Sequence, residues 1–177
     1  MGNYTKEAIL QMAEEEDVEF IRLQFTDMFG TLKNIAIPYS KLEKAMDNQC
    51  VIDASSIEGF IRNEEADMYL YPDLSTFTIL PWRPQQGKVA RFICDIYKED
   101  GTPYQESPRY ILKKVIQKAK EKGMNQKRLA EEIDIDPKAV NRWVRGYTLP
   151  SPWFLLLLSR TFGCSMEDLL VESEEDY

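Results

Sequence analysis

Along the first hundred residues the spacing of apolar positions changes from helical to alternating and stays mostly alternating. Tyr4 to Glu16 places Ile9, Leu10 and Ala13 on one helical face, which predicts an opening helix. Val18 to Thr26 alternates, with Val18, Phe20, Arg22 and Gln24 set against Glu19, Ile21, Leu23 and Phe25. Its apolar excess predicts a strand buried largely on both faces. Asp27-Met28-Phe29-Gly30 reads as a turn and Thr31 to Ile37 as the returning strand of a hairpin. Ser40-Lys41-Leu42-Glu43 has capping-box spacing and predicts a short helix. Short strands follow at Asp67–Tyr71 and Thr76–Leu80 around a Pro72-Asp73 turn. A longer strand, Lys88–Tyr97, ends in the turn Glu99 to Pro103. The pattern predicts a small α+β domain, mostly antiparallel.

After residue 107 the period becomes helical throughout. Ser107-Pro108, Asp136-Pro137 and Ser151-Pro152 each pair a capping residue with a proline at the first helical position. Asn125 is a fourth cap, and Ser165-Met166-Glu167-Asp168 opens a short fifth helix. Gly123 and Gly146 close the first and third helices. Five helices in about sixty residues predict a compact bundle, and Asp134-Ile135-Asp136 is short enough to join two of them as a helix-turn-helix.

Charge sharpens this division. The net charge of -8 splits into -9 over residues 1–107, +7 over 108–165 and -6 over 166–177. A basic middle between acidic ends implies units with different partners; charge alone fits either phosphate neutralisation or, more simply, Lys113, Lys114, Lys118, Lys120 and Lys122 as one helix's solvated face. The chain has no histidine, which excludes Ser-His catalysis and every histidine-containing metal site. Cys50, Cys94 and Cys164 are odd in number and widely spaced, so neither a zinc site nor a disulfide framework is indicated. Reduced thiols point to the cytoplasm. No apolar run reaches membrane-spanning length, and Met1 to Lys6 lacks the form of a secretory signal.

Two resemblances give the units an expected identity. The runs Phe20 to Asp27, Phe29 to Lys33, Asp53 to Phe60, Asp67 to Asp73 and Pro81-Trp82-Arg83-Pro84 occur in order between about Val18 and Lys122. Together they resemble the N-terminal β-grasp domain of bacterial type I glutamine synthetase. In that family the domain completes the active site of a neighbouring subunit. The resemblance implies that Asp53 matches an ammonium-site aspartate and Phe60 the aromatic of the same loop. Ser55, Ser56 and Arg62 share that loop. A carboxylate in a water-poor cleft favours an ammonium ion and can accept its proton. Ala54 stands where the family usually has glycine.

The family's metal-binding glutamates and nucleotide pocket have no counterpart after Gly123. No independent synthetase activity, no cofactor and no metal site are therefore expected. The loop residues are either vestigial or serve a partner's active site. The terminal Glu172, Glu174, Glu175 and Asp176 read as an acidic tail.

Ile116 to Leu170 resembles the Cro/lambda-repressor-like (XRE) DNA-binding family. The match rests on Ile116, on Lys120 to Ala130, on Val140, Trp143, Gly146 and Pro150, and on Phe162 to Leu170. Asp134 stands where that family's turn often holds glycine. The resemblance makes Pro137 to Arg145 the recognition helix, with Lys138, Asn141 and Arg142 on one face facing double-stranded DNA. Gln126, Lys127 and Arg145 are candidate phosphate contacts, and Val140 and Trp143 are expected in the core.

The expected architecture is α+β. A β-grasp domain spans residues 1–107, an all-α five-helix helix-turn-helix domain spans 108–170, and an acidic tail spans 171–177. Helix 108–122 belongs to both resemblances, and no Gly/Ser- or Pro-rich spacer separates the units. Three functions fit. The first is a cytoplasmic regulator of nitrogen or glutamine metabolism that binds DNA, with a β-grasp unit that docks on synthetase subunits or self-associates. The second is an accessory or truncated synthetase subunit. The third is a gene-fusion relic.

Overall fold

The fold is described from a computed structural model, which describes residues 4–27, 31–53, 67–82, 87–144 and 151–164. The chain divides into two compact units, residues 1–104 and 105–177.

In the first unit, helix α1 (Lys6–Glu15) is followed by strands β1 (Val18–Thr26) and β2 (Leu32–Pro38). Then come α2 (Leu42–Met46), β3 (Cys50–Asp53), β4 (Asp67–Ile79) and β5 (Lys88–Tyr97). The five strands form one sheet in the order β2-β1-β5-β4-β3. Strands β1 and β5 run parallel at its centre, and the other neighbours are antiparallel. Thr5 caps α1, its hydroxyl accepting the Ala8 N–H at 3.2 Å. The helix buries Ile9 and Ala13, with Leu10 beside them, against the sheet face that carries Ile21, Leu23, Phe25, Leu70, Phe92 and Ile96. Leu42, Ala45 and Met46 of α2 close the same core. Each of the leucine, isoleucine, phenylalanine and methionine side chains contributes roughly 1.5–3 kcal/mol when fully buried.

Four expectations change. Strand β1 is not buried on both faces: Ile21, Leu23 and Phe25 are interior, but Phe20 is 46% exposed and Arg22 and Thr26 are half-buried. Of the positions that alternate with these, Val18 and Gln24 are covered, and Gln24 accepts a hydrogen bond from Arg91 Nη1 at 3.1 Å. No capping box forms at Ser40, which lies inside a 3₁₀ turn (Tyr39–Lys41). The following helix begins at Leu42 with no side-chain cap. Pro72-Asp73 is not a turn between two strands but part of continuous β4, whose register shifts between Asp73 and Thr78. There the Thr76 hydroxyl accepts the Ile93 N–H at 2.8 Å, so a side chain stands in for a ladder carbonyl. Finally, Cys50–Asp53 is an edge strand paired with β4, so Asp53 ends a strand instead of lying within the loop that carries Phe60. The Asp27–Gly30 turn lies partly outside the described residues. Its Asp27 is buried, accepts the Thr31 N–H at 2.8 Å and pairs with Lys33 at 3.5 Å.

The second unit contains α3 (Pro108–Glu121), α4 (Gln126–Glu132), α5 (Pro137–Val144) and α6 (Pro152–Phe162). The expected fifth helix at Ser165 lies outside the described residues, as does the end of the third around Gly146. Leu112, Val115 and Ala119 of α3 meet Leu129, Ala130, Ile133, Val140, Trp143, Leu158 and Phe162 in a second core. Asn125 accepts the Arg128 N–H at 2.9 Å and fixes the start of α4. Ser107 and Ser151 precede their helices without donating or accepting a side-chain cap bond.

Cys50, Cys94 and Cys164 are not joined in disulfides, and burial pushes the Cys50 thiol above its ordinary range. No helix among the described residues is long and apolar enough to cross a membrane.

The two cap sites give opposite expectations. Asn125→Ala removes a satisfied N-cap and lowers stability by about 1 kcal/mol, whereas Ser40→Ala changes it by less than about 0.5 kcal/mol. Urea unfolding of both variants checks this; equal losses at the two sites would place a working cap at Ser40.

Candidate nucleic-acid interface

Three helix ends in the second unit are built alike, and this places the candidate interface. At the end of α3 the Gly123 N–H bonds the Lys120 carbonyl at 2.8 Å and the Met124 N–H bonds that of Ala119 at 2.8 Å. At the end of α4 the Asp134 N–H reaches Glu131 at 3.3 Å and the Ile135 N–H reaches Ala130 at 2.9 Å. At the end of α6, Gly163 and Cys164 make the same pair of bonds to Arg160 and Ser159. This double bond pattern needs one residue of positive φ. Gly123 (65°) and Gly163 (64°) supply it freely, and Asp134 supplies it at 53°. Aspartate therefore takes the place where the turn would favour glycine, and the chain reverses within Ile133–Asp136 to start α5.

Asp136 accepts the Lys138 N–H on its carboxylate at 2.8 Å, and its carbonyl accepts the Ala139 N–H at 2.8 Å. Pro137 fills a position whose N–H has no helical partner. The helix that follows has two faces. Val140 is 2% and Trp143 5% exposed, and the Trp143 ring meets Phe154 of α6 with centroids 5.4 Å apart and planes tilted by 56°. Lys138 and Arg142 stand exposed on the other side, and Asn141 is half-buried beside them.

Gln126 and Lys127 are exposed in the first turn of α4. Asn141 Nδ2 donates to Gln126 Oε1 at 3.3 Å, which ties the two helices together at the outer surface. Lys127 lies 3.8 Å from Glu131, an exposed i,i+4 pair of small energetic weight that a phosphate can displace. Five of the six candidate DNA-facing residues are thus placed by α4 and α5; Arg145 lies outside the described residues. The Gln126–Asn141 contact was not legible in the sequence, because nothing in the spacing of residues fifteen apart indicates it.

The second candidate site is only partly described. Asp53 ends β3, exposed, with Asp67 opposite it in the antiparallel register. Ser55, Ser56, Phe60 and Arg62 lie outside the described residues.

Comparison with known proteins agrees with the division into two units. The family model described as glutamine synthetase, β-grasp domain, matches residues 17–99, and that described as helix-turn-helix matches residues 115–169. The chain carries a glutamine synthetase β-grasp domain followed by a helix-turn-helix domain.

The glutamine synthetase of Clostridium saccharobutylicum is 61% identical over 123 residues, covering 70% of this chain and 28% of that protein. The glutamine synthetase of Staphylococcus aureus (strain Mu50) is 54% identical over 129 residues, 73% of this chain and 29% of that protein. This chain therefore spans less than a third of the curated relatives it matches. A solved structure of GmaS in an ADP complex superposes with a TM-score of 0.58 at 26% identity, over 64% of this chain and 26% of that one. A cryo-EM structure of Plasmodium falciparum glutamine synthetase shares the fold, with a TM-score of 0.61 at 23% identity over 70% of this chain and 24% of that one. A matched stretch of 123 residues in a chain of 177 must include residues 55–123, and hence the whole of α3. The synthetase-like sequence and the helix-turn-helix match overlap on that helix.

The two faces of α5 separate core from surface. Trp143→Ala empties a buried site and costs roughly 3–5 kcal/mol, enough to melt a small helical unit. Arg142→Ala, one residue away but exposed, costs less than about 0.5 kcal/mol. Thermal unfolding followed by circular dichroism at 222 nm checks both; similar losses would contradict the assignment of faces.

Proposed function

We propose that this chain is a sequence-specific, double-stranded-DNA-binding regulator without enzymatic activity of its own, linked to nitrogen or glutamine metabolism through its synthetase-like domain. The observation that carries this reading is α5, whose buried Val140 and Trp143 leave Lys138, Asn141 and Arg142 on the outer face. Arginine pairs bidentately with guanine and asparagine with adenine in the major groove. Lys138, Lys127 and Gln126 suit phosphate contacts, which supply affinity without sequence information. The absence of enzymatic activity is inferred from coverage: the match to a synthetase spans 28% of that protein's length.

The β-grasp domain would carry the metabolic link. With 61% identity to a synthetase over 123 residues, it retains much of the sequence from which such domains build their subunit contacts. Docking on synthetase subunits, or self-association, follows as its role. A closed dimer would present two recognition helices to a two-fold DNA site. The same identity favours a second reading, an accessory synthetase subunit in which Asp53 and its loop serve a partner's active site. Its setting in either case is the cytoplasm.

Selection of sheared genomic DNA from the source organism by the purified chain, at fixed near-physiological salt, tests the leading reading. A small set of enriched sites, lost in Arg142→Ala, is expected. No enrichment over bulk DNA would contradict it and leave the accessory-subunit reading standing.

A further inference from the structure

We propose that the cleft between α3, α4 and α5 binds a small amphipathic carboxylate, an apolar body with one anionic end, and that this occupant competes with DNA for Lys127. The binding stands apart from the DNA-binding reading above; only the competition rests on it.

The cleft has a volume of about 590 Å³, inside the range of roughly 300–1,000 Å³ found for small-molecule sites. It opens where α3 ends. Ala119 in the last turn of that helix and Gly123 just beyond it both line the space and are too small to fill it. A Cβ placed on Gly123 would meet no atom within 4 Å. The other walls are apolar: Ile116 from α3, Met124 from the connecting turn, Leu129 from α4 and Val140 from α5. Leu129 and Val140 belong to the core, so the cleft reaches into the interior of the unit. Ile116 and Met124 are only half-buried, which leaves apolar surface in water that an apolar body would cover. The unbranched Met124 thioether can repack against occupants of different shape.

Charge selects the occupant. Lys120 of α3 and Lys127 of α4 both line the cleft and are both exposed, which puts two cations at its rim. Among the described residues no acidic side chain lines it. The pair that Lys127 makes with Glu131, at 3.8 Å and open to solvent, yields to a better placed anion. A neutral molecule would leave the two ammonium groups unused, and a cation would be repelled by them. A carboxylate at the rim with its hydrocarbon end inside suits both halves of the site. The charge stays in contact with water and gains two lysines, and the chain leaves water. Lys127 is also a candidate phosphate contact. A carboxylate held there cancels a positive charge on the DNA-facing surface and so weakens phosphate binding.

Octanoate is the probe, and 1-octanol its uncharged counterpart. The full chain, isotope-labelled at its methionine methyl groups, reports binding by NMR through Met124, whose resonance is assigned with Met124→Leu. Octanoate is expected to shift that resonance saturably. Hexanoate should bind more weakly, by up to about fourfold for each methylene lost. 1-Octanol should bind the wild type several-fold more weakly than octanoate does, and Lys120→Gln and Lys127→Gln should each weaken octanoate several-fold. Ala119→Leu, which fills the cleft, should abolish the shift. The two lysines are exposed, so their variants decide the matter even where Ala119→Leu fails to fold. In a titration with a random-sequence duplex at one salt concentration, followed by fluorescence anisotropy, octanoate but not 1-octanol should lower the DNA affinity of the wild type.

The proposal is overturned if Met124 does not respond to octanoate, if 1-octanol binds as tightly, or if neither lysine variant weakens binding. A Met124 shift that follows protein concentration instead of octanoate also overturns it, since a second copy would then cover the cleft. Octanoate binding that leaves DNA affinity unchanged overturns the competition. A chain that binds octanoate with the expected lysine dependence but binds no duplex removes the DNA-binding reading and leaves the carboxylate site standing.

Discussion

The packing of one helix stripe, Leu112, Val115 and Ala119 of α3, is the constraint on which the second unit depends. These side chains are 1–4% exposed and meet Leu129, Val140, Leu158 and Phe162 from the three other described helices. Without them α4 and α5 would have nothing to fold on, since helices of seven and eight residues do not persist alone in water. Yet α3 lies wholly within the stretch that matches glutamine synthetases. Its sequence thus satisfies two descriptions, the continuation of a synthetase-like domain and the first helix of a helix-turn-helix. Lys122 adds a polar tie, donating to the Phe162 carbonyl at 2.6 Å and so joining the ends of α3 and α6.

From that core the functional face follows by geometry. Val140 and Trp143 fix the rotation of α5, and the rotation decides that Lys138, Asn141 and Arg142 point outward. The Asp134 turn fixes the approach of α4, which brings Gln126 to Asn141. Charge works at longer range. The basic stretch 108–165 attracts a phosphate backbone, whereas the acidic stretches on either side of it in sequence repel one. At physiological salt these fields fade over about 8 Å, so the charges near the α4–α5 face count for more there than the net charge of the chain.

Much of this was legible in the sequence because the signals are local. The ends of β1 and β5, the Asn125 cap, the glycine at the end of α3 and the tolerance of Asp134 for positive φ each depend on a few adjacent residues. The errors fell where a distant partner decides the outcome. Pro72 and Asp73 read as a turn because proline lacks a ladder donor, but pairing with β5 carries the strand through and Thr76 bonds Ile93 across it. Cys50–Asp53 is too short to show alternation, and it is a strand because β4 lies beside it. Ser40 has the right spacing for a cap, but the backbone tightens into a 3₁₀ turn after Pro38. At the candidate site the exposed residues on α5 were readable from helical periodicity, whereas the amide pair between helices was not.

Native-state hydrogen exchange of the full chain, compared between wild type and Leu129→Ala, reads most directly which unit α3 folds with. Leu129 belongs to the helical core and not to that of the sheet. If α3 is the first helix of the helix-turn-helix unit, its amides will lose protection together with those of α4 to α6, while β1, β4 and β5 keep theirs. Amides of α3 that stay protected with the sheet while α4 to α6 open would contradict it.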